Sequence, residues 1–379
     1  MSRLRILALE PYYGGSHRAV LDGLATRMDA DFTLLTLPAR KWKWRMRGAA
    51  MTMAAETTRL AATTSHGEAD RDDRLIDERP FDVVFASTFL NLAEYRGLVG
   101  ARVSAIPAVV YFHENQLVYP NRNTAEWDFQ FPLTNITSAL SAEACVFNTA
   151  WNRDAFLDAI PGFLREFPDH HPVGVAETIR EKSCVLAPPF DPTALNRLAP
   201  TRGDVLRIVW PHRWEHDKNP DDFFSAVAQL AEEGLDFEVA VAGQSFRDVP
   251  DAILAAEQTL GSRLIHLGQP ESRDAYAALL ASSDVAVSTA VNEFFGIAMV
   301  EASYSGCLPL VPDRLAYREL YPAQFRYRDV DDLARRLREC IVHRPEPMQA
   351  RILAEKFTFD ALIGGYQHLF ARVAELHGA

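Results

Sequence analysis

Two glutamates eight residues apart, Glu293 and Glu301, stand in the segment Asn-Glu-Phe-Phe-Gly-Ile-Ala-Met-Val-Glu-Ala at 292–302, with Gly296 between them. The run before them, 282–289, reads as a buried strand leading into a loop, and 297–305 has the apolar density of a helix packed on a sheet. Glu293 is then expected on a strand-to-helix loop and Glu301 between one and two turns into the helix. At ~1.5 Å rise per residue the carboxylates stand about 10 Å apart. That is too far for the pair of a retaining glycosidase, roughly 5 Å, and suits the two ends of one elongated ligand. Between them, the N–H groups near Phe295 and Gly296 form a helix N-terminus, which attracts phosphate. Sugar hydroxyls, a diphosphate and ribose hydroxyls, the layout of a sugar nucleotide, match this order. Two merely solvated glutamates are disfavoured, because Phe294, Phe295, Ala298, Met299 and Val300 leave little of the segment for water.

The loop Trp-Pro-His-Arg-Trp-Glu-His-Asp-Lys-Asn-Pro at 210–220 follows an apolar strand. Ligands of open α/β sheets collect at carboxyl ends of strands. Arg213 and Lys218 are therefore expected to converge on a diphosphate, Arg as a planar fork and Lys as a point charge. The plainer alternative is a salt-bridged surface loop with Glu215 and Asp217. Gly243 and Gly268 each end a strand, a weak signal alone. Near the start of the chain, Glu-Pro-Tyr-Tyr-Gly-Gly-Ser-His at 10–17 opens a helix. Gly14 and Gly15 let backbone approach a ligand, and Ser16 is a plausible N-cap ahead of His17. His113, Glu114 and Asn115 follow another strand end, where a histidine can equally be a structural hydrogen-bonder. The most unusual stretch is 40–47, in which Arg40, Lys41, Lys43, Arg45 and Arg47 are interleaved with Trp42 and Trp44. Basic residues neutralise phosphates and aromatics stack on unpaired bases. The same composition suits an anionic membrane, or a basic surface helix with its tryptophans in the core.

These groups must be positioned by two domains, which 379 residues favour over one. In the first half, strand candidates at 5–9, 32–37, 83–87, 108–112 and 144–148 alternate with helices at 17–27, 91–99 and 134–142, the pattern of a doubly wound parallel sheet. A Pro-rich passage, 187–204, reads as the linker. A second α/β unit follows, with strands at 207–210, 237–242, 264–267, 285–288 and 308–311 and helices at 221–233 and 272–281. The expected domains are 1–200, 201–355 and a terminal helix from 356 to 379 that could cross back to the first. The polar stretch 55–73 reads as a mobile loop. Net charge is −12, which argues against nucleic acid, yet residues 1–50 hold nine basic against four acidic residues. Such a local basic surface can hold a polyanion. No run approaches the ~20 apolar residues of a membrane span. The four scattered cysteines suggest buried thiols in a reducing cytosol. No metal site is expected: Asp29-x-Asp31 and Asp329-x-Asp331 match a metal pattern only trivially.

The Glu293-x7-Glu301 spacing resembles that of retaining family 4 glycosyltransferases with the two-domain GT-B fold, and 212–219 is similar to their Gly-Arg-x5-Lys-Gly element. His212 and Asn219 stand where Gly is usual. The resemblance implies two Rossmann-like domains facing each other across a cleft, an acceptor-binding first domain and a sugar-nucleotide-binding second one. It implies that Glu293 binds the donor sugar and Glu301 the ribose, that Gly14, Gly15, Gly243 and Gly268 approach the nucleotide, and that His113 lies near the donor sugar. Taken with 10–17, 37–48 and 112–120, the chain resembles over nearly its whole length the tRNA-queuosine mannosyltransferase family. That implies a metal-independent cytoplasmic enzyme that moves mannose from GDP-mannose to queuosine in the anticodon of tRNA-Asp, with no resident cofactor. Segment 40–47, with Ser16, His17, Glu114 and Asn115, would face the tRNA, and no stable membrane association is expected. Runner-up readings are a GT-B enzyme with another nucleotide sugar and a lipid or small acceptor, and a non-catalytic sugar-nucleotide-responsive RNA-binding protein.

Overall fold

The computed structural model describes residues 3–64, 80–120, 128–245 and 248–376. It divides into two compact units, Met1–Pro189 with Leu362–Ala379, and Phe190–Ala361. Within the Pro-rich passage the break falls at Phe190. Its backbone pairs with Phe357 and Phe359 (3.0 and 3.2 Å), tying the rest of the passage to the second unit. The last helix, Phe359–Glu375, joins the first unit from Leu362 onward, and Tyr366 Oη donates to the Ala187 carbonyl at 3.0 Å.

Each unit is built on a six-stranded parallel sheet. The first comprises β1 (Leu4–Tyr13), β2 (Ala30–Pro38), β3 (Val83–Ser87), β4 (Ala108–Phe112), β5 (Ala144–Phe147) and β6 (Ser183–Val185), in the order β2-β1-β3-β4-β5-β6. The second comprises β7 (Leu206–Trp210), β8 (Phe237–Ala242), β9 (Leu264–Gly268), β10 (Val285–Val287), β11 (Leu308–Pro312) and β12 (Arg326–Tyr327), in the order β12-β11-β10-β7-β8-β9. The central strands are apolar at nearly every position because helices cover both faces; every residue of β3, β4 and β5 is buried. Strand order reverses between β1 and β3 in one sheet and between β7 and β10 in the other, and ligands collect at such reversals. Both reversals are fastened alike at their amino ends. Asp82 accepts from the Arg5 amide and Asp284 from the Arg207 amide, each at 2.8 Å. Asp284 is fully buried, and Arg344 and Arg202 balance its charge at 2.7 and 3.2 Å.

Several expected elements change. β1 runs on to Tyr13, so Glu10 lies in the strand rather than in a loop. Helix α1 is Gly15–Arg27 with Gly14 as its N-cap, so Ser16 is inside the first turn and is not the cap. Helix α2, Trp42–Thr64, takes in 42–47 of the basic-aromatic stretch and also residues 55–64 of the presumed mobile loop; residues 65–73 of that loop lie outside the described residues. Asp29 and Asp31 pair with Arg3, and Asp329 caps the helix Val330–Val342.

Candidate active site

The second unit gathers its polar side chains at the reversal between β7 and β10. The loop after β7 and the loop after β10 lie side by side because these strands are neighbours, Val285 opposite Ile208. Lys218 and Glu293 thereby meet: Lys218 Nζ donates to the Asn292 carbonyl at 2.8 Å and lies 3.4 Å from Glu293 Oε2 and 3.0 Å from Asp217 Oδ2. Lys218 is buried. Burial alone would lower its ammonium pKa, but the carboxylates of Glu293 and Asp217 outweigh that and raise it. Lys218 is thus an internal ion-pair cation. Arg213 is different, its side chain half exposed and 3.0 Å from Glu215.

Asn219 occupies the left-handed region at φ 50°, which explains why a residue tolerant of that region follows Lys218. His212 is buried, and burial followed by the nearby Lys218 charge pulls its imidazole down to about 3. Its Nε2 and the indole Nε1 of Trp214 are buried without hydrogen-bond partners among the described residues. Buried polar atoms are normally paired, so this loop offers donors and acceptors to a polar ligand.

The helix Ile297–Tyr304 begins after Gly296, at φ 84°, where any Cβ would also meet the Tyr317 ring at 2.9 Å. The Phe295 amide, expected to face phosphate, is taken by Glu293 Oε1 at 3.4 Å. The Phe295 ring packs edge-on to Phe357. Glu301 lies just past the first helical turn and is held by Arg273 at 2.5 Å. Arg273, from the first turn of the helix Arg273–Ala281, was missed from sequence; a cation at a helix start so far upstream carries no local signal. Gly243 has a packing reason of its own, since a Cβ there would sit 1.7 Å from the His212 carbonyl oxygen. Gly268 has φ 135° and open space around it.

In the first unit a small cavity at the ends of β1, β3 and β4 is lined by Glu10, His17, Ser87, Tyr111 and His113. Glu10 Oε1 accepts from the Tyr12 amide (2.8 Å) and Ser87 Oγ (2.9 Å), while Oε2 lies 3.0 Å from His17 Nδ1. A carboxylate only accepts, so His17 carries its proton on Nδ1. The His17 ring lies 3.9 Å from that of His113, tilted by 31°. Burial, then the His17 ring, holds His113 well below the usual histidine range, so His113 is neutral. Glu10, absent from the predicted set, organises this cluster. Ligand-type atoms of Glu10, His17 and His113 lie within 4.8 Å of one another, an arrangement that could hold a cation. The Glu10 carboxylate is already engaged by the Tyr12 amide, Ser87 and His17.

Other predicted residues have different tasks. Asn115 is fully buried, donating to Asn152 at 2.7 Å and accepting from the Leu117 and Val118 amides at 3.1 Å, so it is structural rather than an acceptor contact. Glu114 is half-buried and accepts from Gln116 at 3.2 Å. Gly14 is needed where a Cβ would meet Ala39 Cβ at 2.5 Å, and Gly15 takes φ 53°. Arg47 is ion-paired with Asp128, and Arg45 donates to the Pro38 carbonyl at 3.3 Å. Arg40, Lys41 and Lys43 are exposed. Trp42 packs with Met46, Phe89 and Phe131 inside the unit, whereas Trp44 is 59% exposed.

Two Rossmann-like units with polar groups at each strand-order reversal, and a Lys–Glu pair at the second, define a glycosyltransferase of the GT-B class. The fold is shared with the Anabaena protein HepE in complex with UDP and glucose: TM-score 0.65, 15% identity, 98% of this chain and 100% of that one covered. It is shared too with an E. coli trehalose-6-phosphate structure bound with UDP-2-fluoro glucose: TM-score 0.66, 13% identity, 98% and 99% covered. Residues 5–190 match the model of the tRNA-queuosine alpha-mannosyltransferase N-terminal family, and residues 200–353 that of glycosyl transferases group 1. The tRNA-queuosine alpha-mannosyltransferase of Drosophila melanogaster is 36% identical over 372 residues, 94% of this chain and 92% of its own length. The chain belongs to the tRNA-queuosine alpha-mannosyltransferase family. A GDP-mannose-dependent alpha-(1-6)-phosphatidylinositol dimannoside mannosyltransferase of Mycobacterium tuberculosis is 29% identical over 227 residues, 56% of each chain. No helix among the described residues is long and apolar enough to cross a membrane.

Proposed function

We propose that this enzyme moves mannose from GDP-mannose to the cyclopentene-diol of queuosine in the anticodon of tRNA-Asp. The carrying observation is the meeting of Lys218 and Glu293 at the β7–β10 reversal, in a chain 36% identical to a tRNA-queuosine alpha-mannosyltransferase. The mycobacterial relative, GDP-mannose-dependent by name, supports the donor. In this reading Lys218 and Arg213 stabilise charge on the departing diphosphate. Glu293 binds the sugar and Glu301 the ribose, which displaces or shares Arg273. The acceptor oxygen forms a bond to the anomeric carbon as the carbon–phosphate-oxygen bond breaks, and the departing diphosphate takes the acceptor proton. Configuration is retained without a covalent enzyme intermediate. Those two cations do the work a metal would otherwise do, so the reaction is metal-independent and the compartment is the cytoplasm, where tRNA and nucleotide sugar meet.

The test is to incubate the protein with queuosine-containing tRNA and GDP-mannose, GDP-glucose, UDP-glucose or UDP-galactose, followed by mass spectrometry of the nucleosides. A hexose-shifted queuosine with GDP-mannose alone supports the reading. Transfer from another nucleotide sugar replaces the donor. Absence of any modified nucleoside, with transfer to phosphatidylinositol mannosides instead, replaces the acceptor.

A further inference from the structure

The two tryptophans of the basic segment have opposite fates. Lys41, at φ 56°, turns the chain into α2, and its carbonyl accepts from the Trp44 and Arg45 amides at 2.9 and 3.1 Å. Trp42 then faces inward, its ring 5.1 Å from that of Phe131. Trp44 faces outward and is 59% exposed, although a ring of this size is normally covered. It is not loose. Its benzenoid edge lies over Gly48, one turn on, so closely that a Cβ there would come within 2.8 Å of Cζ2 and 3.0 Å of Cε2. Arg40, Lys41, Lys43 and Arg47, its neighbours along the chain, are exposed; Lys43 lies over the Trp42 ring, and Arg47 is paired with Asp128 and lies over the Phe131 ring.

We propose that Trp44, seated on Gly48, is a stacking platform for an unpaired base of an RNA loop, with the exposed Arg40, Lys41 and Lys43 beside it in the chain to meet phosphate. The proposal rests on the tRNA reading above and assigns it one specific contact. An aromatic ring stacks on any base, and Arg and Lys carry the backbone. A ring already held in place loses little freedom on binding, which favours affinity. Charge complementarity selects a polyanion in spite of the net charge of −12. An anionic membrane is less well matched. On the exposed face of α2 the only other large apolar residue among the described residues is Met51, and Ala55 and Thr58 follow it, so the stripe is short. An interfacial helix needs a continuous apolar face.

The test uses the full-length protein and a fluorescein-labelled, unmodified anticodon stem-loop RNA, with binding read by anisotropy across a salt titration. Trp44→Ala should weaken binding about 5- to 150-fold, the equivalent of one stacked base, and leave the salt slope unchanged, since stacking releases no counterions. Trp44→Phe should recover part of the loss. Gly48→Ala keeps Trp44 and favours the helix, yet displaces the ring and should also weaken binding. Matching thermal melts show that the fold is intact. Binding by Trp44→Ala within twofold of wild type overturns the proposal, and so does a loss confined to phosphatidylserine vesicles. Nucleoside mass spectrometry on the same proteins separates the two levels. Full mannosylation with unchanged RNA affinity in Trp44→Ala sinks the platform and leaves the function standing. No mannosylation even by wild type sinks the function, while the anisotropy still decides the platform.

Discussion

Replacing Lys218 by Met should cost this protein both stability and turnover, whereas Arg213→Ala should cost turnover alone. Lys218 is buried and sits between Glu293 and Asp217, whose side chains are 17% and 14% exposed. Methionine of similar length removes the cation and leaves two carboxylates facing each other. Breaking a buried pair from one side costs about 3–5 kcal/mol. The incomplete burial of the carboxylates places this case near the lower figure. Arg213 is half exposed, and its surface pair with Glu215 contributes at most about 1 kcal/mol. In turnover each contact to departing diphosphate is expected to contribute about 2–4 kcal/mol, roughly 30- to 1000-fold. Urea denaturation of both variants at pH 7, beside initial rates at saturating GDP-mannose, measures each quantity. Lys218→Met with wild-type stability at pH 7 would refute the internal ion pair. Near-normal rates in both variants would refute the assignment of these cations to the diphosphate.

Glu293→Gln should impair sugar-nucleotide use while GDP affinity by calorimetry stays near wild type, and Glu301→Gln should weaken GDP itself; equal losses contradict a two-ended ligand. His212 contributes a pH dependence whose sign is fixed. Its folded value is about 3 against about 6.5 unfolded, so its contribution is full above 6.5 and is lost as pH falls towards 3. At pH 5 that is about 2 kcal/mol, and His212→Gln should remove that part of the slope in denaturant titrations, leaving the part due to His113. Turnover should persist after EDTA and dialysis. Loss restored by Zn²⁺ or Mn²⁺, and not restorable in Glu10→Gln, would instead place a metal among Glu10, His17 and His113.

The class of fold was legible in the sequence, and so were the polar loops at the strand ends. Strands buried on both faces are apolar at almost every position, as in 83–87 and 108–112, so their ends are sharply marked and the polar residues just beyond them stand out. Arg213, Lys218, Glu293 and His113 were found in this way. Which of them touch was decided by tertiary structure. Lys218 and Glu293, 75 residues apart, meet only because the chain crosses over to lay β10 beside β7. Glu10, His17 and His113 meet only because β1, β3 and β4 end at one place. The tryptophans show the limit most plainly. Residues two apart share a face on a strand but are about 200° apart on a helix. The alternation of Lys and Trp therefore left both rings open to either fate until α2 formed and the Met46, Phe89 and Phe131 cluster drew Trp42 inward, which left Trp44 outside on Gly48.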